Sequence, residues 1–202
     1  MNTSWPSLTE QIFACQACPL ARTRTHVVPG EGNLHADLML IGEGPGEQED
    51  RTGRPFVGPA GQLLDRMLLA IGLSRENVYI CNIVKCRPPH NRVPEADEAA
   101  ACIGYLRQQT ALVKPRIILL LGSTAARTIL GEDLRITRDR GVWQLRKGIW
   151  MMPTYHPSAL LRDESKKRPA WEDFKAVRDK MIRLGIHPGN MGEEQKTEGE
   201  RI

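Results

Sequence analysis

Asp37-Leu-Met-Leu-Ile-Gly42 is a short apolar run closed by a glycine. It is too short for a helix and lacks the alternation of a half-exposed strand, so it reads as a strand buried on both faces. Residues 78–83, 116–122 and 149–154 repeat the pattern. Near-continuous apolar strands belong to parallel sheets covered on both sides. Helical stripes fall between them. Pro59 suits a first helical turn, Leu63, Leu64, Met67, Leu68 and Ile71 share one face, and Gly72 can end the helix. Pro94 opens a second helix, with Glu95, Asp97 and Glu98 in its first turn and Ala99, Cys102, Ile103, Leu106 and Val113 on its stripe. Ser123 can cap a third, running to Leu130. Trp171, Phe174, Val177, Met181 and Leu184 line a last one. Strands alternating with helices predict a three-layer α/β/α domain around a central, mainly parallel four-stranded sheet. In such sheets, sites form in the loops beyond the carboxyl ends of the strands.

The 202-residue length fits one domain, expected over residues 1–186. Residues 187–202, rich in Gly, Glu and Lys, read as a disordered tail. That tail carries a net −2 of the chain's +4, so the body is at +6, which suits a polyanionic partner without requiring one. The sequence shows no membrane-length apolar run and no signal-peptide layout; a soluble, cytoplasmic protein is the expectation.

Five cysteines in such a chain point to metal or catalysis before disulfides. Cys15 and Cys18 form a Cys-x2-Cys pair, Cys86 follows the second strand, and Cys102 lies on the inner stripe of a helix. Four thiolates suit tetrahedral zinc or a four-iron cluster, and spacing alone does not choose. Cys81, inside a strand, reads as a core thiol.

Four loops carry candidate chemistry. The first strand ends in Gly42-Glu43-Gly44-Pro45-Gly46-Glu47-Gln48-Glu49-Asp50, whose glycines permit close backbone approach to a ligand. It lacks the lysine of a nucleotide P-loop, and its four carboxylates suit water activation or cation stabilisation. It could equally be an acidic surface turn. Phe56, in a Gly/Pro-rich loop, is either a core plug or a stacking platform for a base. Asn82 closes the second strand with a donor and an acceptor, fit to read a pyrimidine edge or to cap the strand. Arg87-Pro-Pro-His-Asn-Arg92 holds His90 and Asn91 on a stiff turn, with arginines that could meet phosphates or stand solvated. The fourth strand leads into Tyr155-His156-Pro157-Ser158-Ala159-Leu160-Leu161-Arg162, where His156 is a candidate electrophile or acid, though a lone histidine is more often structural, and Leu160 a candidate wedge for a base stack. Lys166, Lys167 and Arg168 extend a basic rim.

Taken in order, these motifs resemble the uracil-DNA glycosylase superfamily, and within it the iron–sulfur (family 4) branch. Residues 42–50 look like its Gly-Glu-x-Pro-Gly motif, and 156–162 like its His-Pro-Ser-x-Leu motif. Cys15, Cys18, Cys86 and Cys102 match its cluster ligands in order and spacing, which implies a 4Fe-4S cofactor. The resemblance implies hydrolytic release of uracil from single- or double-stranded DNA by a monomer. It implies that Phe56 stacks on an extruded uracil while Asn82 bonds its pairing edge and the Gly44 backbone helps hold it. His156 would stabilise charge on the departing base, and Glu43 with Asn91 would orient water. Glu49 would narrow the pocket against a 5-methyl group, Ser158 would grip phosphate, and Leu160 would fill the vacated stack. A related branch carries in this loop a histidine that bonds covalently to the sugar. That position falls on Asn91, one residue past His90, so turnover is implied rather than trapping. The rival readings are a non-catalytic nucleic-acid-binding module with a structural metal, and a redox carrier. Neither has a use for Glu43, Phe56, Asn82 and His156 together.

Overall fold

The computed structural model describes residues 4–187. Six strands form one sheet: β1 (Glu31–Gly32), β2 (Leu38–Gly42), β3 (Val78–Asn82), β4 (Ile117–Leu121), β5 (Gln144–Arg146) and β6 (Ile149–Thr154). Their order is β1-β3-β2-β4-β6-β5. The inner four are the strands read from the sequence, and they are parallel. The expected count of four is corrected by two antiparallel edge strands. These escaped the apolar-run reading because one has two residues, Glu and Gly, and the other is the half-exposed Gln-Leu-Arg.

Every residue of β2, β3 and β4 is buried, yet side chains alternate between two cores as the period of a strand requires. Met39, Ile41, Tyr79, Cys81, Ile118 and Leu120 face one layer. It contains α4 (Ala96–Val113) and α5 (Ser123–Leu130). Leu38, Leu40, Val78, Ile80, Ile117 and Leu119 face the other. That layer is built from α3 (Pro59–Leu69) and α8 (Lys167–Arg183), through Leu64, Leu68, Phe174, Val177 and Met181. The three-layer architecture is as expected. An N-terminal helix α1 (Trp5–Phe13) packs outside α4 through Leu8 and Ile12. The short helices α2 (Glu47–Thr52), α6 (Ile136–Asp139) and α7 (Pro157–Arg162) sit among the loops.

Helix starts differ in detail. Helix α4 begins two residues after Pro94, with the Glu95 N–H donating to the Glu98 carboxylate at 2.8 Å. Gly122, not Ser123, holds the N-cap of α5, at φ 93°. A Cβ there would lie 3.0 Å from that of His156, so the turn needs a residue with neither a side chain nor a barrier to positive φ. The expected tail, apart from His187, lies outside the described residues. Among the described residues, no helix is long and apolar enough to cross a membrane.

The parallel strands run in the order second, first, third, fourth. The order therefore reverses between β2 and β4, and their carboxyl ends splay into a crevice there.

Candidate active site and cysteine pocket

A cavity of about 610 Å³ opens at that reversal. It has the size of a small-ligand site. All four parallel strands deliver residues to it: Glu43 and Gly44 after β2, Asn82 from β3, Thr124 after β4, and His156 after β6. Glu49, Phe56, Asn91 and Ser158 line it as well. The sequence-derived candidates are thus brought together, with one exception.

Asn82 is 1% exposed, and among the described residues neither its Nδ2 nor its Oδ1 has a hydrogen-bond partner. An orphaned buried amide costs about 1–3 kcal/mol per group, a cost that packing alone does not offset. It offers a donor and an acceptor side by side, and because neither bonds the backbone the side chain does not cap the strand. Beside it, on the adjacent strand β2, stands its register partner Gly42. A Cβ on Gly42 would stand 2.4 Å from Asn82 Oδ1 and 2.6 Å from Phe56 Cζ. The missing side chain lets the amide and the ring share one floor.

Phe56 is both core and wall. It is buried in the α3/α8 core and lines the cavity. Its backbone is left-handed at φ 53°, a strained conformation for an aromatic residue. Two groups hold it there. Glu49 accepts from the N–H groups of Val57 at 2.8 Å and Gly58 at 2.9 Å, and from Gly46 at 3.1 Å. Arg75 donates to the carbonyls of Pro55, at 2.9 Å, and of Phe56. Glu49 is therefore a staple between two loops as well as part of the wall.

Helix α7 aims His156. Pro157 opens the helix, and the imidazole caps it, with Nδ1 accepting from the Ser158 N–H at 3.2 Å. The Ser158 hydroxyl sits 2.8 Å from the same nitrogen. Because a backbone N–H can only donate, Nδ1 is the acceptor and the ring proton resides on Nε2. Burial pushes the His156 pKa down to about 4; the Arg162 cation adds to this and Glu49 opposes it. The result is a neutral imidazole with an N–H to give. The Phe56 and His156 rings lie with centroids 5.5 Å apart.

The strand end before His156 is anchored from outside the site. Thr154 donates to Asp173 at 2.6 Å, and Arg140 bonds the same carboxylate. Glu43 accepts a hydrogen bond from the hydroxyl of Thr124. Asn91 Oδ1 accepts from Arg87 Nε at 2.8 Å, and both His90 and Asn91 are left-handed. Asn91 lines the cavity and exposed His90 does not.

Leu160 is the exception. It is 1% exposed and packed inward, so it presents nothing to a base stack. Leu161, next to it, is 48% exposed. One turn of helix explains the difference, because α7 turns Pro157 and Leu160, three apart, to the interior. The arginines of the 87–92 loop are paired as well. Arg92 forks onto Glu98 at 2.7 and 2.8 Å, and Arg87 reaches Glu47 at 3.6 Å. Of the basic rim, Lys166 lines the cavity together with Arg162 and stands 5.8 Å over the Tyr155 ring. Thr124 and Arg75 carry no sequence signal, because each acts on a residue far away in the chain.

On the other side of β3, Cys15, Cys18, Cys86 and Cys102 line a second, small pocket. Among the described residues no set of His, Cys, Asp or Glu side chains is gathered to hold a metal ion; these four instead surround a space. Burial pushes the Cys102 thiol up to about 11 and raises Cys86, while nearby Lys85 and Arg24 respectively oppose it. Arg24 Nη1 donates to Cys86 Sγ at 3.1 Å. Cys81 is fully buried in the sheet, away from this pocket.

A crevice at the strand-order reversal, lined by a buried amide, an aromatic ring, a neutral histidine and a carboxylate, marks a doubly wound α/β domain with a small-ligand site at its switch point. The family model described as Uracil DNA glycosylase superfamily matches residues 29–175, and the chain belongs to that superfamily. Its relatives place it in the type-4 branch. A type-4 uracil-DNA glycosylase of Thermotoga maritima is 47% identical over 177 residues, covering 85% of this chain and 91% of its own. One of Sulfurisphaera tokodaii is 45% identical over 188 residues, covering 89% and 86%. A type-5 uracil-DNA glycosylase of Pyrobaculum aerophilum is 36% identical over 151 residues, covering 66% of each chain.

Proposed function

We propose that this chain removes uracil from DNA by hydrolysing the N-glycosidic bond, leaving an abasic site. One observation carries the reading: the unpartnered, fully buried Asn82 amide at the floor of the cavity. Uracil presents N3–H flanked by carbonyls, so its edge supplies an acceptor and a donor for that amide. The base reaches the floor only by leaving the duplex, at a cost of a few kcal/mol offset by stacking on Phe56 and by contacts of the rim with phosphate.

Bond cleavage leaves the electron pair on uracil N1, with charge spread to O2, and a cationic sugar at C1′. His156 Nε2–H donates to O2. A neutral donor suits this step, since it stabilises the anion without first giving up a proton. Glu43 faces the sugar cation and, with Asn91, directs a water to C1′. The water adds its oxygen there and passes a proton to the carboxylate. Cys15, Cys18, Cys86 and Cys102 would hold a 4Fe-4S cluster. Their four side chains line one pocket, and four thiolates are the donor set of such a cluster. When bound, it would tie the segment after α1 to the loop after β3 and to α4.

The test is a labelled oligonucleotide with one uracil, single- or double-stranded, treated with alkali after incubation. Cleavage at uracil and not at thymine is expected, with strong reduction in His156→Ala and Glu43→Ala. Binding of the oligonucleotide without base release, indifferent to His156→Ala, overturns the reading.

A further inference from the structure

Lys85 is 2% exposed and is among the largest fully buried side chains. Burying an ammonium costs several kcal/mol unless it is hydrogen-bonded and faces negative charge. Among the described residues its Nζ has one hydrogen bond, to the Asn82 carbonyl at 2.8 Å. Among the described residues no carboxylate forms an ion pair with it. Its remaining donors belong to a side chain that lines the cysteine pocket. Lys85 lines that pocket together with Cys15, Cys18, Cys86 and Cys102. Cys86, its chain neighbour, is contacted by Arg24. Two cations thus attend four sulfurs, and one of them is bonded to the residue that floors the other cavity.

We propose that Lys85 is a positioning residue that couples the two sites: its ammonium balances the charge of the thiolate-bound metal centre and, through the Asn82 carbonyl, fixes the strand end that presents the uracil-reading amide. This rests on the cluster and uracil readings above. A four-iron cluster with four thiolates carries a net charge of about −2, which Lys85 and Arg24 together offset. Without the centre, Lys85 loses its counter-charge, and the bond to the Asn82 carbonyl bears the whole burden of the buried ammonium. Without Lys85, the centre loses a donor, and the strand end loses its tie. The remaining length of the strap is short: Ile83 and Val84, both buried, with their N–H groups donating to the Gly42 and Glu43 carbonyls.

The experiment uses cluster-loaded full-length wild type, Lys85→Met and Lys85→Arg. Iron and acid-labile sulfide are measured first; zinc in their place overturns the cluster reading and this inference with it. In loaded protein, the visible absorbance is followed after addition of an iron chelator, and inhibition by free uracil is measured on a uracil oligonucleotide. Lys85→Met is expected to bleach roughly tenfold faster, as loss of an outer-shell donor typically costs a metal site. It should bind free uracil roughly tenfold more weakly, and Lys85→Arg should recover part of both. Equal bleaching and equal uracil inhibition in wild type and Lys85→Met overturn the inference while leaving both readings intact. Should Lys85→Met not fold, the wild type decides. Saturating free uracil is expected to slow bleaching about fivefold, within the usual range of site coupling. An unchanged rate overturns the coupling.

Discussion

Thr124 donates its hydroxyl to the Glu43 carboxylate, joining residues 81 positions apart across the point where the strand order reverses. Each stands just beyond a strand end, Glu43 after β2 and Thr124 in the first turn of α5. The bond occupies one carboxylate oxygen and leaves the other for water. A hydrogen bond to a charged group contributes about 1.5–3 kcal/mol. Thr124→Val is therefore expected to lower kcat by roughly 10- to 100-fold with little change in KM. Thr124→Ser should restore most of it. Equal kcat in Thr124→Val and wild type would remove Thr124 from the mechanism.

Gly42 predicts the opposite kinetic split. Alanine there drives a methyl into both Asn82 Oδ1 and Phe56 Cζ. Gly42→Ala should raise KM and weaken inhibition by free uracil by tenfold or more, and lower stability by about 1–3 kcal/mol through overpacking. Titration with free uracil and thermal melting read the two effects separately. Unaltered uracil inhibition would mean that amide and ring do not form the base floor.

The pH dependence follows from His156, whose folded pKa of about 4 lies below the ordinary histidine value of 6.5. Between those values the unfolded chain takes up a proton that the folded chain refuses. Stability is therefore lost as pH falls from 6.5 toward 4, and this group contributes no slope above 7. His156→Gln lacks the group, so the wild type's melting temperature should fall relative to the variant's across that window. A difference that stays constant from pH 7 to 4.5 would show that the ring is not held neutral.

The two leucines of α7 separate by experiment. Leu160→Ala removes a buried side chain and is expected to cost about 2–5 kcal/mol of stability. Leu161→Ala, at an exposed site, should stay within about 0.5 kcal/mol. Of the two leucines, Leu161 alone is exposed enough to meet a base stack. Its alanine variant should lose activity on duplex substrate while retaining it on single strands. Loss of duplex activity in Leu160→Ala at full stability would return the wedge to Leu160.

By itself the sequence determined the four parallel strands, the layers around them, the cysteine set and most of the residues at the crevice. Burial on both faces forces a continuous apolar run, and glycines and prolines mark the loops that follow, so local pattern suffices for these. It could not yield the edge strands, because short polar segments acquire strand geometry only from a neighbour's hydrogen bonds. Nor could it tell Leu160 from Leu161, since the facing of a one-turn helix is set by what packs beneath it. Only the tertiary structure decided that Asn82 has no partner, that Phe56 is held in a left-handed turn by Glu49 and Arg75, that Nδ1 of His156 accepts, and that Lys85 lies between the two pockets. These are long-range hydrogen bonds and burial, properties of which atoms meet, and residue type and spacing carry no record of them.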